Sequence, residues 1–268
     1  MIKRILKMIR KSGRNILRYN LYNKLKRLLD SESEIERLFP KEALLSHYVF
    51  IPMRNTREHP DLFINQVRYY RIYEFFRKNY PELFSEKTKV FDIGDTSGIL
   101  FKAMKRKGLS VNINPDTVNF IRNNGIEAEV GDIENLPFQD KSCEYAFCFE
   151  CIEHVSNPIR ALKEISRITQ KKIFLSIPYV KKTAIYELGY WKKLLSQDIS
   201  KGGWAVSDTQ DADCHKFEFS TQDFKKIISY ANLRYCDSFP INYFKVLGSI
   251  CKNEGSYFNF FILEPLNG

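Results

Sequence analysis

From residue 89 onward, short strand-like runs alternate with stretches of helical spacing, and this alternation limits the fold more than any other feature. The strand-like runs predict strands at residues 89–93, 110–113, 127–130, 145–149 and 172–179. Helical spacing between them predicts helices at residues 98–107, 116–123 and 158–169. Strands that alternate with helices at this interval form right-handed βαβ units and a mostly parallel sheet.

The flanking segments extend this pattern on both sides. Aromatic and aliphatic residues recur at helical spacing over residues 63–80, just before Pro81, and again over residues 221–232. Two further strands are predicted at 234–239 and 257–264, and we expect them to form an antiparallel edge. The expected fold is therefore α/β, a doubly wound and mostly parallel seven-stranded sheet with an N-terminal helical extension.

Positive charge is concentrated at the start of the chain. Residues 1–29 contain ten Lys and Arg and no acid, whereas the rest of the chain carries 32 residues of each sign. Apolar residues recur there at helical spacing with a weak point at Ser12 and Gly13, which predicts one or two basic amphipathic helices. Such a segment can bind an anionic membrane surface, pack on the main domain or a second copy, or contact nucleic-acid phosphates. The charge pattern leaves these readings open and favours nucleic acid least.

The apolar runs and the cysteines of the chain indicate the cellular compartment in which we expect the protein. No apolar run approaches the roughly 18–20 residues that a membrane-spanning helix needs. The basic N-terminal segment lacks the apolar stretch of a secretory signal, and six scattered cysteines do not form a disulfide framework. We expect a cytoplasmic protein, peripheral on the inner face of the membrane if the basic segment binds lipid. We divide the chain into an extension and connector at 1–60, with a polar break at 30–36, and a main domain at 61–268.

The first strand of the alternating block ends in a turn suited to a ligand. Its sequence over residues 90–98 is VFDIGDTSG, with Asp92 at the strand end and glycines at positions 94 and 98. Glycine permits positive φ and close approach of a ligand to the backbone. In doubly wound sheets, ligands bind at the carboxyl ends of the strands, where an acid can hold a cationic group.

Together with later segments, this turn resembles the class I S-adenosylmethionine (SAM)-dependent methyltransferases, in particular the group typified by ubiquinone and menaquinone pathway enzymes. The matching segments are VFDIGDTSG at 90–98, VNINPD at 111–116, GDIENLPF at 131–138, FECIEHVSNP at 149–158 and HKFEFS at 215–220. The resemblance implies a Rossmann-like methyltransferase fold, SAM as the cofactor and a methyltransferase domain over residues 61–268.

The resemblance also implies which residues meet the cofactor. Carried over by position, they are Asp92, Gly94, Thr96 and Gly98 at the amino-acid end of SAM, Asn112 at the ribose, Asp132 and Ile133 at the adenine, and Glu150 beside the sulfonium. Two of them depart from the family pattern, because Thr96 replaces the middle loop glycine and Asn112 replaces the ribose acid. An amide forgoes the charge-assisted hydrogen bond that a carboxylate makes. These departures keep a second reading open, a methyltransferase-fold scaffold without catalysis.

A hydroxyl acceptor would need its proton removed, and histidine is the side chain best suited to that at neutral pH. His154 and His215 are the candidate catalytic residues, two of four histidines in the chain. The string Glu150-x-x-Glu153-His154 resembles a divalent-metal site of quinone O-methyltransferases, but it also occurs in members without metal, where it caps the fourth strand. We interpret it as a cap and assign no metal to the chain.

A zinc site is a further alternative that the cysteines raise. Cys148, Cys151, Cys214 and His215 could supply four ligands. We disfavour it because side chains three residues apart at a strand end are expected to face different ways.

The acceptor is expected to be a small molecule or lipid-linked, with a saccharide or quinone hydroxyl as the methylated group. An insert at 180–214 contains four large aromatic residues and is the expected acceptor lid: Tyr186, Tyr190, Trp191 and Trp204. Enzymes that methylate nucleic-acid bases often carry an Asn/Asp-Pro-Pro-aromatic string where this chain has Glu150-Cys151-Ile152-Glu153. Nucleic acid is therefore not an expected partner, although an RNA-directed enzyme stays an alternative. The oligomeric state is open.

Overall fold

The structure, a computed structural model, describes residues 34–40, 60–178, 180, 184–185, 215–242 and 256–266. The basic segment at 1–29, Cys214 and the four aromatic residues of the insert lie outside the described residues, so the predictions made for them remain predictions. None of the described helices has the length and hydropathy that a membrane crossing needs.

A seven-stranded sheet forms the centre of the domain. Its first five strands are β1 (Val90–Ile93), β2 (Leu109–Asn112), β3 (Glu127–Val130), β4 (Cys143–Phe149) and β5 (Thr169–Pro178). Strands β9 (Ser256–Pro265) and β8 (Leu233–Asn242) complete the seven, with β8 at the edge. A separate two-stranded antiparallel sheet consists of β6 (Ala184–Ile185) and β7 (Phe217–Glu218).

The strand order in the large sheet is β3-β2-β1-β4-β5-β9-β8. Strands β1 to β5 pair in parallel, whereas β9 is antiparallel to both β5 and β8. The predicted mostly parallel sheet and its antiparallel edge are both confirmed. Because these strands run parallel, the carboxyl ends of β3, β2, β1 and β4 lie along one edge.

Helices cover both faces of this sheet. They are α1 (Pro60–Asn79), a 3-10 turn (Pro81–Phe84), α2 (Ile99–Met104), α3 (Pro115–Asn123), α4 (Pro158–Ile168) and α5 (Thr221–Tyr230). Side chains cap three of them: Asn114 accepts from the amides of the first turn of α3, and Asn157 and Ser220 do the same for α4 and α5. The apolar spacing that follows these caps predicted the starts of α3, α4 and α5 to within one residue.

Two predictions about local structure are wrong. Residues 34–38 form a helical turn, although the polar composition of residues 30–36 predicted a break. Ile35 and Leu38 of this turn are buried, so tertiary packing overrides the polar composition. Helix α2 ends at Met104 rather than at residue 107, because Lys105 adopts a left-handed conformation with φ of 51°.

An aromatic cluster fixes α1 against one face of the sheet. Phe76 is fully buried, and its ring centroid lies 4.9 Å from that of Phe147 on β4 and 4.7 Å from that of Phe174 on β5. Phe260 on β9 completes the cluster at 6.2 Å. Buried aromatic pairs at these separations add to the area that they bury. The cluster therefore holds α1 in a defined position, and Arg68 of the same helix with it.

Candidate functional site

The turn after β1 requires glycine at two positions. Gly94 and Gly98 have φ of 83° and 65°, a region that other residues rarely adopt. A Cβ atom on Gly94 would lie 2.6 Å from Sγ of Cys151, and one on Gly98 would lie 2.8 Å from Cγ1 of Ile126. Both glycines therefore allow the loops after β4 and α3 to pack against this turn.

Asp95 holds the turn from inside. Its buried carboxylate accepts hydrogen bonds from the amides of Ser97 and Gly98, both at 2.9 Å, and from Oγ of Ser110 on β2 at 2.5 Å. Burial raises the pKa of Asp95, while these hydrogen bonds act in the opposite direction. Sequence reasoning missed this residue, although an Asp two residues before a Ser-Gly pair is a typical Asx-turn signal. Thr96 is half-buried within the same turn and does not have positive φ, so the backbone accepts a threonine there.

Asn112, at the end of β2, also contributes to this turn. Its Nδ2 donates to the carbonyl of Asp95 at 2.8 Å, and its Oδ1 accepts from the amide of Asn114 at 2.9 Å. A side-chain amide has two donor hydrogens and two acceptor lone pairs, so one of each remains for a ligand. The predicted ribose contact stays a prediction, and the structure adds a role in holding two backbone segments.

Asp92 lies buried at the end of β1 and faces a cation on α1. Burial raises its pKa well above the usual range, the neighbouring Asp95 raises it further, and Arg68 opposes both. Arg68 is 3% exposed, and its guanidinium carbon lies 4.9 Å from the ring centroids of both Tyr69 and Phe258. Sequence reasoning missed Arg68. Its only signal is that it is a cation within an aromatic helix, and the contact is set by tertiary structure.

Glu150 follows β4 and has φ of 52°, a conformation that is strained for a residue with a side chain. Its Oε1 accepts from Oγ of Ser176 on β5 at 2.7 Å. Burial raises the pKa of Glu150 to about 7, while Arg68 and the Ser176 hydroxyl act in the opposite direction. Glu150, which the resemblance places beside the sulfonium, is half-buried, and Ser176 of the neighbouring strand β5 holds its carboxylate.

The two candidate histidines lie together although 60 residues separate them in the chain. Their ring centroids are 4.9 Å apart in an edge-to-face arrangement. The carbonyl of Glu153 accepts from the amides of Lys216 at 2.7 Å and Phe217 at 3.1 Å, which docks the segment of His215 against that of His154. Nδ1 of His215 lies 3.5 Å from Oε1 of Glu218. Burial lowers the pKa of His215, and Glu218 acts in the opposite direction.

The loop after β3 supplies the remaining predicted residues. Asp132 is exposed and accepts from the amide of Glu134 through Oδ1 at 2.8 Å, while Ile133 is buried. Ile113 and Val130, at the carboxyl ends of β2 and β3, are 60% and 47% exposed. The carboxyl ends of β2 and β3 thus combine exposed apolar side chains with the carboxylate of Asp132.

The thiols of Cys148 and Cys151 interact, since Cys151, together with burial, raises the pKa of Cys148. Within the part of the chain that the structure describes, no cysteine belongs to a cluster of three or more potential metal ligands.

Comparison with known proteins agrees with this architecture. Residues 91–177 match the family model described as a methyltransferase domain. A SAM-dependent methyltransferase from Clostridium acetobutylicum superimposes with a TM-score of 0.50 at 12% identity, covering 74% of this chain and 92% of its own. A SAM-dependent methyltransferase from Methanosarcina mazei gives 0.49 at 14% identity, covering 70% and 99%. No curated protein sequence matches the chain. At 12% identity, the likeness to the Clostridium acetobutylicum structure shows the fold alone.

Proposed function

We propose that this SAM-dependent methyltransferase, whose cofactor is SAM, transfers the methyl group to a hydroxyl oxygen of a small or lipid-linked acceptor. The observation that carries the proposal is the contact of His154 and His215 against the buried Glu153, three residues after Glu150 at the carboxyl edge of the sheet. A hydroxyl acceptor needs a group that takes up its proton, and an imidazole is suited to this at neutral pH. The two candidate imidazoles lie together beside Glu153.

The residues at this edge fit the cofactor. A buried carboxylate is costly unless a cation compensates it. Asp92 is buried beside Asp95 with Arg68 as the opposing cation, so the ammonium group of SAM would add a second positive charge to this acidic pair. The exposed side chains of Ile113 and Val130 offer apolar surface to a purine, and Asp132 retains one carboxylate oxygen for an exocyclic amine. When bound, SAM supplies a methyl group on a sulfonium that passes to the acceptor oxygen while the electrons of the broken C–S bond stay on sulfur.

The chain's own side chains orient the reacting groups. Ser176 fixes the carboxylate of Glu150, and the hydrogen bonds of Asp95 fix the turn that carries Gly94 and Gly98. Displacement at a methyl group depends mainly on alignment of the attacking atom, so rigid supports of this kind account for much of the expected rate. His154 and His215 activate the acceptor hydroxyl.

The nature of the acceptor rests on the resemblance and on the basic segment. The resemblance to quinone-pathway enzymes favours a quinone or saccharide hydroxyl, and the ten basic residues in 1–29 favour a lipid-linked acceptor at an anionic membrane. Liposomes that contain anionic lipid test this second part. Full-length protein should pellet with them, and a chain lacking residues 1–29 should not; equal pelleting of the two would remove the argument.

Calorimetric titration with SAM and with S-adenosylhomocysteine tests the proposal as a whole. Micromolar binding of both, weakened at least tenfold by Asp92→Asn, is the expected result, because the substitution keeps the shape and removes the charge that the ammonium meets. Glu144→Gln, at an exposed ion pair with Lys171, is the matched control and should bind normally. No heat with either ligand from folded protein would contradict the proposal and favour a scaffold role, for which the engagement of Asn112 by the backbone is the motivating observation.

A further inference from the structure

We propose that Glu153, His154 and His215 bind a divalent transition-metal ion. One ligand atom from each residue lies within 4.8 Å of the other two. Zinc-ligand distances of about 2.0–2.2 Å place ligand atoms around a common ion at most about 4.4 Å apart, so small side-chain adjustments complete the site. The binding itself does not depend on the proposed methyl transfer, but its catalytic use does.

The Glu153 carboxylate is the strongest sign of a missing ligand. The residue is 1% exposed, and among the residues that the structure describes neither of its carboxylate oxygens has a hydrogen-bond partner. Burying a carboxyl group without a partner is unfavourable, and such groups in proteins are generally paired or coordinate metals. Glu150, three residues earlier, adds to the negative potential at Glu153. A cation held between the carboxylate and the two imidazoles satisfies it.

The second sign is the support around His215. Its Nδ1 side faces Oε1 of Glu218 at 3.5 Å. Histidines that bind metal usually donate their other ring N–H to a carboxylate or carbonyl, which fixes the tautomer and leaves the opposite nitrogen for the ion. Nε2 of His215 is therefore the expected ligand. The two backbone hydrogen bonds to the Glu153 carbonyl hold the segment of His215 in place independently of any ion.

The donor set indicates the kind of metal. Two imidazoles and one carboxylate suit manganese, iron, cobalt, nickel or zinc better than magnesium, which prefers oxygen ligands. The set also differs from the Glu150-x-x-Glu153-His154 string, because Glu150 bonds Ser176 and lies outside the cluster, whereas His215 comes from a distant segment. Metal binding would revise the assignment of no metal made from the sequence.

Three protein ligands leave coordination positions open for an acceptor. A hydroxyl oxygen bound there loses its proton to solvent more readily, because the metal lowers its pKa. The resulting oxyanion forms the new O–C bond as the C–S bond breaks, with the electron pair going to sulfur. In this arrangement the histidines activate the hydroxyl through the ion that they hold.

Cobalt titration of tag-free, chelator-treated full-length protein tests the site. Binding of one Co²⁺ with visible absorption bands is expected, with weaker binding in Glu153→Gln and in His215→Gln. Glu218→Gln should weaken binding by about 10–100-fold, the usual effect of losing a carboxylate that orients a metal-bound histidine. Glu150→Gln is the matched control, a neighbouring carboxylate outside the donor set, and it should weaken binding less than Glu153→Gln does.

Two results would overturn the proposal. One is the absence of binding for Mn²⁺, Co²⁺, Ni²⁺ and Zn²⁺ at millimolar concentration. The other is binding that Glu153→Gln and His215→Gln leave unchanged, which would place the ion elsewhere, for example on the cysteines. SAM titration of the same chelator-treated protein keeps the two proposals separate. Metal binding without SAM binding contradicts the methyltransferase proposal alone, and SAM binding without metal binding contradicts the metal site alone.

Discussion

Replacing Arg68 by methionine should destabilise the protein, and the loss should grow with pH. The guanidinium is buried and lowers the pKa values of Asp92 and Glu150, so it stabilises both carboxylates in their charged form. Methionine keeps most of the side-chain volume but removes the charge. Breaking a buried ionic interaction by removing one partner typically costs about 3–5 kcal/mol, and loss of the contacts with Tyr69 and Phe258 accounts for about 1–2 kcal/mol of that.

The direction of the pH dependence follows from the two carboxylates. When an acid has a higher pKa in the folded than in the unfolded state, the free energy of unfolding falls as the pH rises from the unfolded pKa to the folded pKa. Glu150 already has a folded pKa of about 7, and removal of Arg68 raises the pKa of both acids further. At pH 5.5 the folded variant can keep these carboxyls protonated, so the substitution removes only the packing contribution to the unfolding free energy. At pH 8 the loss of the charge interaction with the carboxylates adds to it, and the whole decrease is expected.

Urea unfolding of both proteins at pH 5.5 and pH 8 measures this difference. Arg77→Met is the matched control on the same helix, since Arg77 is exposed and pairs with Glu74 at 2.9 Å on the surface. Exposed pairs contribute about 0–1 kcal/mol, so the control should change little at either pH. An Arg68→Met loss of equal size at both pH values, or one no larger than that of Arg77→Met, would show that the buried carboxylates do not depend on this cation.

Three further predictions concern stability and the cofactor turn. Phe76→Ala should lower the unfolding free energy by about 3–5 kcal/mol in urea, because the ring is fully buried among aromatic partners; a loss below about 1 kcal/mol would contradict the role of the aromatic cluster. Gly94→Ala should destabilise the protein more than Gly125→Ala, since both have positive φ but only the first would contact a neighbour, Cys151. Addition of Cys151→Ala should restore part of the Gly94→Ala loss, and strictly additive changes in melting temperature would refute the contact. Asn157→Ala should cost about 1 kcal/mol through the lost cap of α4, measured by the same denaturant titration.

The sheet could be predicted from the sequence because each strand carries its own local signal. Buried parallel strands are continuous apolar runs, and the run at residues 145–149 corresponds to most of β4. Strand β3 has a weaker signal, because its sequence over residues 127–130 is EAEV and Ala128 is its one buried residue. The end of the first strand located Asp92, because ligands bind at the carboxyl ends of parallel strands, whereas Asn112 and Glu150 were assigned from the family resemblance. The early end of α2 could not be predicted, since apolar spacing does not show where the backbone turns left-handed.

The residues that contact and orient the site residues could not be predicted from local sequence patterns. Arg68 precedes Asp92 by 24 residues, Ser176 follows Glu150 by 26, and Glu218 lies 65 residues after Glu153. Each contact depends on how α1, β5 and β7 pack, and no local pattern records that. The histidine pair is an intermediate case. Both residues were singled out for their chemistry, but their contact follows from the amides of Lys216 and Phe217 bonding to one carbonyl.

The two departures from the family pattern belong to one network in the structure. The turn after β1 is held from inside by the Asp95 carboxylate, so its backbone is fixed without a glycine at position 96. The carbonyl of Asp95 is in turn held by the amide of Asn112, which a carboxylate could not do because it has no hydrogen to donate. An acid at position 112 would also add a further negative charge near the buried Asp95, beside that of Asp92. The asparagine at 112 and the threonine at 96 therefore fit a turn built around Asp95, and their effect on SAM binding has to be judged with that residue present.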